Sequence, residues 1–108
     1  MTNLEYIAAN LSDEDILCQI AEEAAELAKA ALKLRRAITG TNPTPVSVDE
    51  AKYNLLEEYG DVVGSFLVYA KKNKLDDESV YEMSNEFIKS KFDRWAQRIK
   101  EGENHDNR

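Results

Sequence analysis

The stretch IAEEAAELAKAALKLRR, residues 20–36, decides the fold because it is rich in the residues that form helices most readily. Counted at 100° per residue from Ile16, one face of this helix carries the apolar residues Ile20, Leu27, Ala31, Leu34 and Ile38. Glu23 lies on the same face, three residues after Ile20 and four before Leu27. Burying an unpaired carboxylate costs several kcal/mol, so the pattern predicts a partner that meets Glu23.

Capping residues predict where this helix and the next one begin and end. Ser12 followed by Asp15 resembles a capping box, with aspartate in place of the usual glutamate, and Thr39-Gly40 predicts the end. The segment TGTNPTPVS, residues 39–47, is predicted to be a loop because its prolines disfavour helix. Ser47 followed by Glu50 is a full capping box and predicts the start of a further helix.

No segment alternates at period two as a strand would, so the whole chain is predicted to be helical. Asp76 or Asp77 is expected to cap the last helix. The predicted helices span residues 3–10, 12–38, 47–73 and 76–100. The fold class is therefore all-α, a compact helical bundle with three long helices and a short N-terminal helix.

The size, charge and cysteine content of the chain limit its organisation and its partners. Residues 1–100 are expected to form a single domain, followed by a disordered tail over residues 101–108. The net charge of −7 disfavours binding to a nucleic-acid polymer, and no uncharged run is long enough to span a membrane. The one cysteine, Cys18, fits a reducing cytoplasm and is expected to be a small core residue.

Two acidic motifs stand apart from ordinary surface charge: EEAAE at residues 22–26 and EEYGD at residues 57–61. The spacing of three residues places Glu23 beside Glu26 and Glu58 beside Asp61 on their helix faces. Like charges so placed repel each other, so a cleft that holds all four needs cations. Solvated surface charge is the alternative interpretation of these acids.

The surroundings of Asp61 favour a partly buried site. The residues that follow it, VVGSFLVYA at 62–70, carry no charge, which predicts a helix buried on every side. Asp61, Ser65 and Val68 share one row of that helix. Gly60 and Gly64 each cost about 1 kcal/mol relative to alanine in a helix interior, and they are expected to permit close approach by another helix.

The available ligand types select the metal. The only histidine is His105, so the histidine-containing di-iron and zinc sites of helical proteins do not fit. A set of carboxylates alone is a hard-oxygen site, which favours Mg²⁺ with Mn²⁺ as a substitute. Magnesium commonly binds substrate phosphates, so it allows an acidic protein to hold an acidic substrate.

The two motif helices, AEEAAELAKAALKLRR (residues 21–36) and NLLEEYGDVVGSFLVYAKK (residues 54–72), resemble those of the MazG-like nucleoside triphosphate pyrophosphohydrolases. That family belongs to an all-α superfamily with dimeric dUTPases and phosphoribosyl-ATP pyrophosphatase. The resemblance covers residues 16–98. The separation of the two acidic motifs is longer than expected for the family, and the loop over residues 39–47 supplies the excess.

The resemblance implies a set of roles. Glu23, Glu26, Glu58 and Asp61 would be the metal ligands, and Glu22 would be the catalytic acid that assists the metal or the water. The implied reaction is Mg²⁺-dependent hydrolysis of a nucleoside or deoxynucleoside triphosphate between its α and β phosphates. The products would be a nucleoside monophosphate and pyrophosphate.

Positive charge on the last helix has two interpretations. Lys91 falls on its apolar face, with Arg94 beside it, and both are candidates to bind a substrate phosphate, as the resemblance also implies. Alternatively, Lys91 only lays its aliphatic stem along apolar surface.

The sequence leaves both the oligomeric state and the function open to more than one interpretation. The uncharged part of the third helix exceeds what one chain of this length covers, which predicts a homodimer or a homotetramer. The alternative functions are a non-catalytic helical interaction protein and a pyrophosphatase that acts on a phosphoribosyl- or sugar-nucleotide.

Overall fold

A computed structural model describes residues 1–40 and 46–106, and side chains up to residue 103. This part of the chain contains helices and no strand, which confirms the all-α prediction. The helices are α1 (Asn3–Asn10), α2 (Asp13–Thr39), α3 (Val48–Lys72) and α4 (Asp77–Asp106). The predicted loop over residues 39–47 falls mostly outside the described residues.

Side-chain caps fix the limits of the two central helices at the predicted positions. Ser12 Oγ accepts from the Asp15 backbone N–H at 3.1 Å, and Ser47 Oγ accepts from the Glu50 backbone N–H at 3.1 Å. Each bond satisfies a donor that the first turn of a helix leaves unpaired. Gly40 ends α2 with φ 66°, a left-handed conformation that glycine adopts without the penalty of a Cβ.

Helix α4 starts as predicted and ends later. Asp76 Oδ1 accepts from the Ser79 backbone N–H at 2.7 Å, and this bond, with the Ser79 hydroxyl, lowers the pKa of Asp76. The helix continues to Asp106 instead of ending near residue 100, so the predicted disordered tail is wrong for residues 101–106. No proline interrupts this segment, and Gln97 supports it by donating to Glu101 at 3.3 Å. Residues 107 and 108 lie outside the described part.

The chain divides into two compact units, Met1–Lys74 and Leu75–Arg108. In the first unit, α3 packs against α2 and α1. Lys72 Nζ donates to the Ala8 carbonyl at 3.3 Å, and Asn73 Nδ2 donates to Asp13 Oδ1 at 3.1 Å. The end of α3 is thereby fastened to the end of α1 and the start of α2. A single domain over residues 1–100 stays a prediction.

The buried apolar residues of the described chain are mostly small: Ala8, Ile16, Ala30, Ala51 and Ala70. Ile16 is the one large side chain among them. Alanine permits close helix approach but contributes little apolar area, so the first unit rests on a thin core. Ile16 is the largest of these buried side chains, so its removal would leave the largest gap in the core.

Two burial predictions are wrong. Cys18 is exposed, although a core position was expected. On α3, Val63, Phe66 and Leu67 keep 38%, 41% and 42% of their surface exposed, so the uncharged stretch is not buried on every side. The reason is geometric, since α1 and α2 cover only part of the circumference of α3. Among the described helices, none is both long and apolar enough to cross a membrane.

Candidate metal centre

Three carboxylates from two helices meet in the first unit. Glu23 on α2 and Glu58 and Asp61 on α3 each place one oxygen within 4.8 Å of the others. Glu23 and Glu58 are half-buried, whereas Asp61 is exposed. The spacing of three residues puts Glu58 and Asp61 on the same face of α3, and the packing of α2 against α3 brings Glu23 to them.

The cluster is electrostatically unfavourable without a cation. The pKa of Glu58 is raised, first by its partial burial and then by the negative charges of Asp61, Glu23, Glu26 and Glu57. Both causes disfavour the ionised form of Glu58. A divalent cation beside the cluster reverses the electrostatic contribution, because it stabilises all three ionised carboxylates.

Glu26 and Glu22 do not join the three acids. Glu26 is exposed, and its Oε1 accepts from Lys29 Nζ at 3.4 Å on the same helix. Glu22 is exposed as well. Glu26 has the same spacing from Glu23 as Asp61 has from Glu58, but its carboxylate pairs with Lys29 instead of turning to the cluster. The structure therefore brings together three of the four predicted metal ligands, and Glu26 acts on Glu58 through its charge alone.

Gln19 is a neighbour of the cluster that the sequence analysis missed. Its Nε2 donates to Glu23 Oε1 at 2.7 Å, four residues along α2. The bond leaves the second oxygen of Glu23 available to a ligand and limits the rotation of the carboxylate. A polar residue four positions before a candidate ligand was the signal in the sequence.

A cavity of about 550 Å³ adjoins the cluster, and Glu23 and Asp61 form part of its wall. The rest is mainly apolar and comes from α1, α2, α3 and the α1–α2 connection: Leu4, Ile7, Leu11, Ile16, Leu67 and Val68. Ser65 also lines it, so the predicted row Asp61, Ser65 and Val68 faces this space. The carboxylates thus stand at the edge of an apolar hollow.

Gly60 and Gly64 also line the cavity. A Cβ at either position would meet no neighbouring atom of the described chain within 4 Å. Within the described part of the first unit no helix approaches these glycines closely, so the expectation that they permit close helix approach stays a prediction. Their missing side chains leave free space beside the acids instead.

Lys91 and Arg94 lie in the second unit, on α4. Lys91 Nζ is 5.5 Å from the centre of the Trp95 ring, within the range of a cation–π contact. Arg94 Nη1 donates to Ser90 Oγ at 2.5 Å. These contacts stay within α4, so a phosphate-binding role for either residue remains a prediction.

No protein-family model, curated protein or solved structure matches this chain.

The donor set fits a hard divalent cation. All three groups are carboxylates, which favours Mg²⁺ or Mn²⁺ over metals that prefer nitrogen or sulfur. At a bond length of about 2.1 Å, adjacent oxygens of a magnesium octahedron lie about 3.0 Å apart and opposite oxygens about 4.2 Å apart. The three carboxylate oxygens already lie within 4.8 Å of one another, and rotation of these exposed or half-buried side chains can bring them to such distances. Three protein ligands would leave the other coordination positions of such a cation to water or other oxygen ligands.

Proposed function

We propose that this protein is a Mg²⁺-dependent nucleotide pyrophosphohydrolase. It cleaves a nucleoside or deoxynucleoside triphosphate between the α and β phosphates, which releases a nucleoside monophosphate and pyrophosphate. The observation that carries the proposal is the meeting of Glu23, Glu58 and Asp61 from two helices. The resemblance of the two motif helices to the MazG-like enzymes supplies the reaction.

Each residue has a part in this reaction. Glu23, Glu58 and Asp61 would hold Mg²⁺, with Mn²⁺ as a substitute. Glu26 would join them as a further ligand only by turning away from Lys29. The metal neutralises phosphate oxygens and lowers the pKa of a bound water. Glu22 orients or deprotonates that water. Lys91 and Arg94 bind the β or γ phosphate.

The proposal includes a homodimer or homotetramer in the cytoplasm. Leu56, Tyr59, Val63 and Phe66 are exposed and recur on α3 at spacings of three and four residues. This is the a/d pattern of helices that pair along a seam. The stripe lies on the side of α3 opposite Asp61, so a second copy can cover it and leave the acids open. The location rests on the single cysteine.

The same exposed stripe supports the second candidate, a non-catalytic helical interaction protein. In that case the acids are surface charge, and Glu23→Gln is neutral or stabilising. Mg²⁺ then acts only through ionic screening. Activity on a phosphoribosyl- or sugar-nucleotide is a variant of the enzyme hypothesis, and it differs in the products.

The test is to incubate the purified chain with each common NTP and dNTP, with Mg²⁺ or with EDTA, and to resolve the products by chromatography. Monophosphate and pyrophosphate are expected, and they should be lost with EDTA and with Glu23→Gln. Monophosphate with two equivalents of phosphate would indicate a different reaction. No turnover of any nucleotide by a folded protein would favour the interaction protein.

A further inference from the structure

A cavity lies beside the acid cluster, and it is larger than the metal and its water ligands require. Its volume of about 550 Å³ lies within the range of small-molecule sites, about 300–1,000 Å³. Its wall combines apolar side chains with a few polar groups at one side, which is the usual composition of such sites.

The position of the cavity restricts what it can hold. Glu23 and Asp61 belong both to the acid cluster and to the cavity wall, so the cluster directly adjoins the cavity. If the metal-bound phosphates occupy the acid side, the group covalently attached to the α phosphate must begin at that boundary. The apolar wall disfavours a charged triphosphate chain and accepts a flat, weakly polar ring.

The two glycines of α3 also favour a ring in this cavity. Gly60 and Gly64 lower the stability of a long helix, and no neighbouring atom of the described chain requires their small size. Both line the cavity at the boundary with Asp61. A side chain at Gly64 would occupy the space where a ring attached to the α phosphate has to lie.

We infer that this cavity binds the nucleoside half of the substrate, its base against the apolar wall, and that Gly60 and Gly64 determine which bases fit. The inference rests on the proposed function and deepens it. Gln19 and Ser65 are the neutral polar side chains of the wall. Gln19 Nε2 donates to Glu23 and Ser65 Oγ donates to the Asp61 carbonyl, so the Gln19 carbonyl oxygen and the Ser65 hydroxyl oxygen can accept from the edge of the base.

The test compares two ligands that share the phosphates and differ in the nucleoside. Calorimetry with Mg²⁺ measures binding of inorganic triphosphate and of the α,β-imido analogues of the common NTPs and dNTPs, which are not cleaved. The wild type is expected to bind at least one analogue about tenfold more tightly than inorganic triphosphate. Gly64→Leu should remove that difference while the affinity for inorganic triphosphate changes less than about twofold.

Two further variants keep the test decisive. Gly64→Ala adds one methyl group and favours the helix, so it should fold and lose part of the nucleotide preference. Gly102→Leu is the matched control, because it places the same side chain at another helical glycine with open space around it. It should bind both ligands like the wild type.

The contrary outcomes separate the inference from the proposed function. If Gly64→Leu keeps the nucleotide preference and still binds inorganic triphosphate, the cavity is not the nucleoside site although the metal site stands. If it loses affinity for both ligands equally, the substitution acts on the phosphate side, and the inference is overturned. A Gly64→Leu protein that changes its oligomeric state in ultracentrifugation without losing nucleotide affinity would show that a second copy fills the cavity. A wild type that binds neither ligand overturns both proposals.

Discussion

The two glycines of α3 give the most direct prediction about stability. Alanine is about 1 kcal/mol more favourable than glycine in a helix interior. This gain is fully realised only where the new methyl group meets no obstacle. At Gly60 and Gly64 a Cβ meets no atom of the described chain within 4 Å, so no steric cost opposes the gain.

Gly60→Ala and Gly64→Ala are therefore expected to raise the free energy of unfolding by about 1 kcal/mol each. In a domain of this size, such a change raises the melting temperature by about 4–8 °C. Urea denaturation followed by circular dichroism measures the first quantity, and a thermal scan measures the second. Gly40→Ala is the internal control of opposite sign, because φ 66° costs an alanine about 1–2 kcal/mol.

A loss of stability in Gly64→Ala would refute this reasoning. It would mean that another surface, from beyond the first unit, contacts the glycine in solution. A dependence of the melting temperature on protein concentration would then identify a second copy as that surface. A gain in stability combined with lost nucleotide binding is the result expected if the glycines serve the ligand.

Ile16→Ala should lower the free energy of unfolding by about 2 kcal/mol in urea denaturation, the low end for such a change, because Ile16 already borders an open cavity. Gln19→Ala should weaken Mn²⁺ binding about tenfold by calorimetry, whereas Gln97→Ala, which loses an equivalent bond to Glu101, should not. The pKa of Glu58 is higher in the folded state than in the unfolded state, so the folded state holds the carboxyl proton more tightly. The free energy of unfolding therefore falls as the pH rises from about 4.5 through the pKa of Glu58 in the folded state. Urea titrations at several pH values should show a smaller fall in the free energy of unfolding for Glu58→Gln, and also for the wild type with Mg²⁺. An unchanged pH dependence in Glu58→Gln would contradict the raised pKa of Glu58.

The helices could be predicted from the sequence because their ends depend on local hydrogen bonds. Ser12, Ser47 and Gly40 each act within three or four residues of their own position, so the pattern contains the information. The end of α4 was missed because residues 101–106 contain no strong stop signal, and an isolated glycine does not end a helix that other residues favour.

The candidate site could be predicted only in part, because burial and crossing angle depend on residues distant in sequence. Spacing placed Glu58 and Asp61 together, but it could not decide whether Glu23 or Glu26 would face them across the helix pair. Cys18 and Phe66 were assigned to buried positions from their apolar character, although the partner helices cover other sides. The cavity is formed by α1, α2 and α3 together, and no single segment encodes it.

The most direct measurement is the rate of pyrophosphate release from the best nucleotide at saturating Mg²⁺, compared between Glu58→Gln and Glu57→Gln. The two variants remove the same charge from adjacent positions of α3, but only Glu58 belongs to the cluster of three acids. The account predicts a loss of at least about 100-fold for Glu58→Gln and a change of less than about threefold for Glu57→Gln. Equal rates in the two variants would contradict a metal-dependent site at these carboxylates.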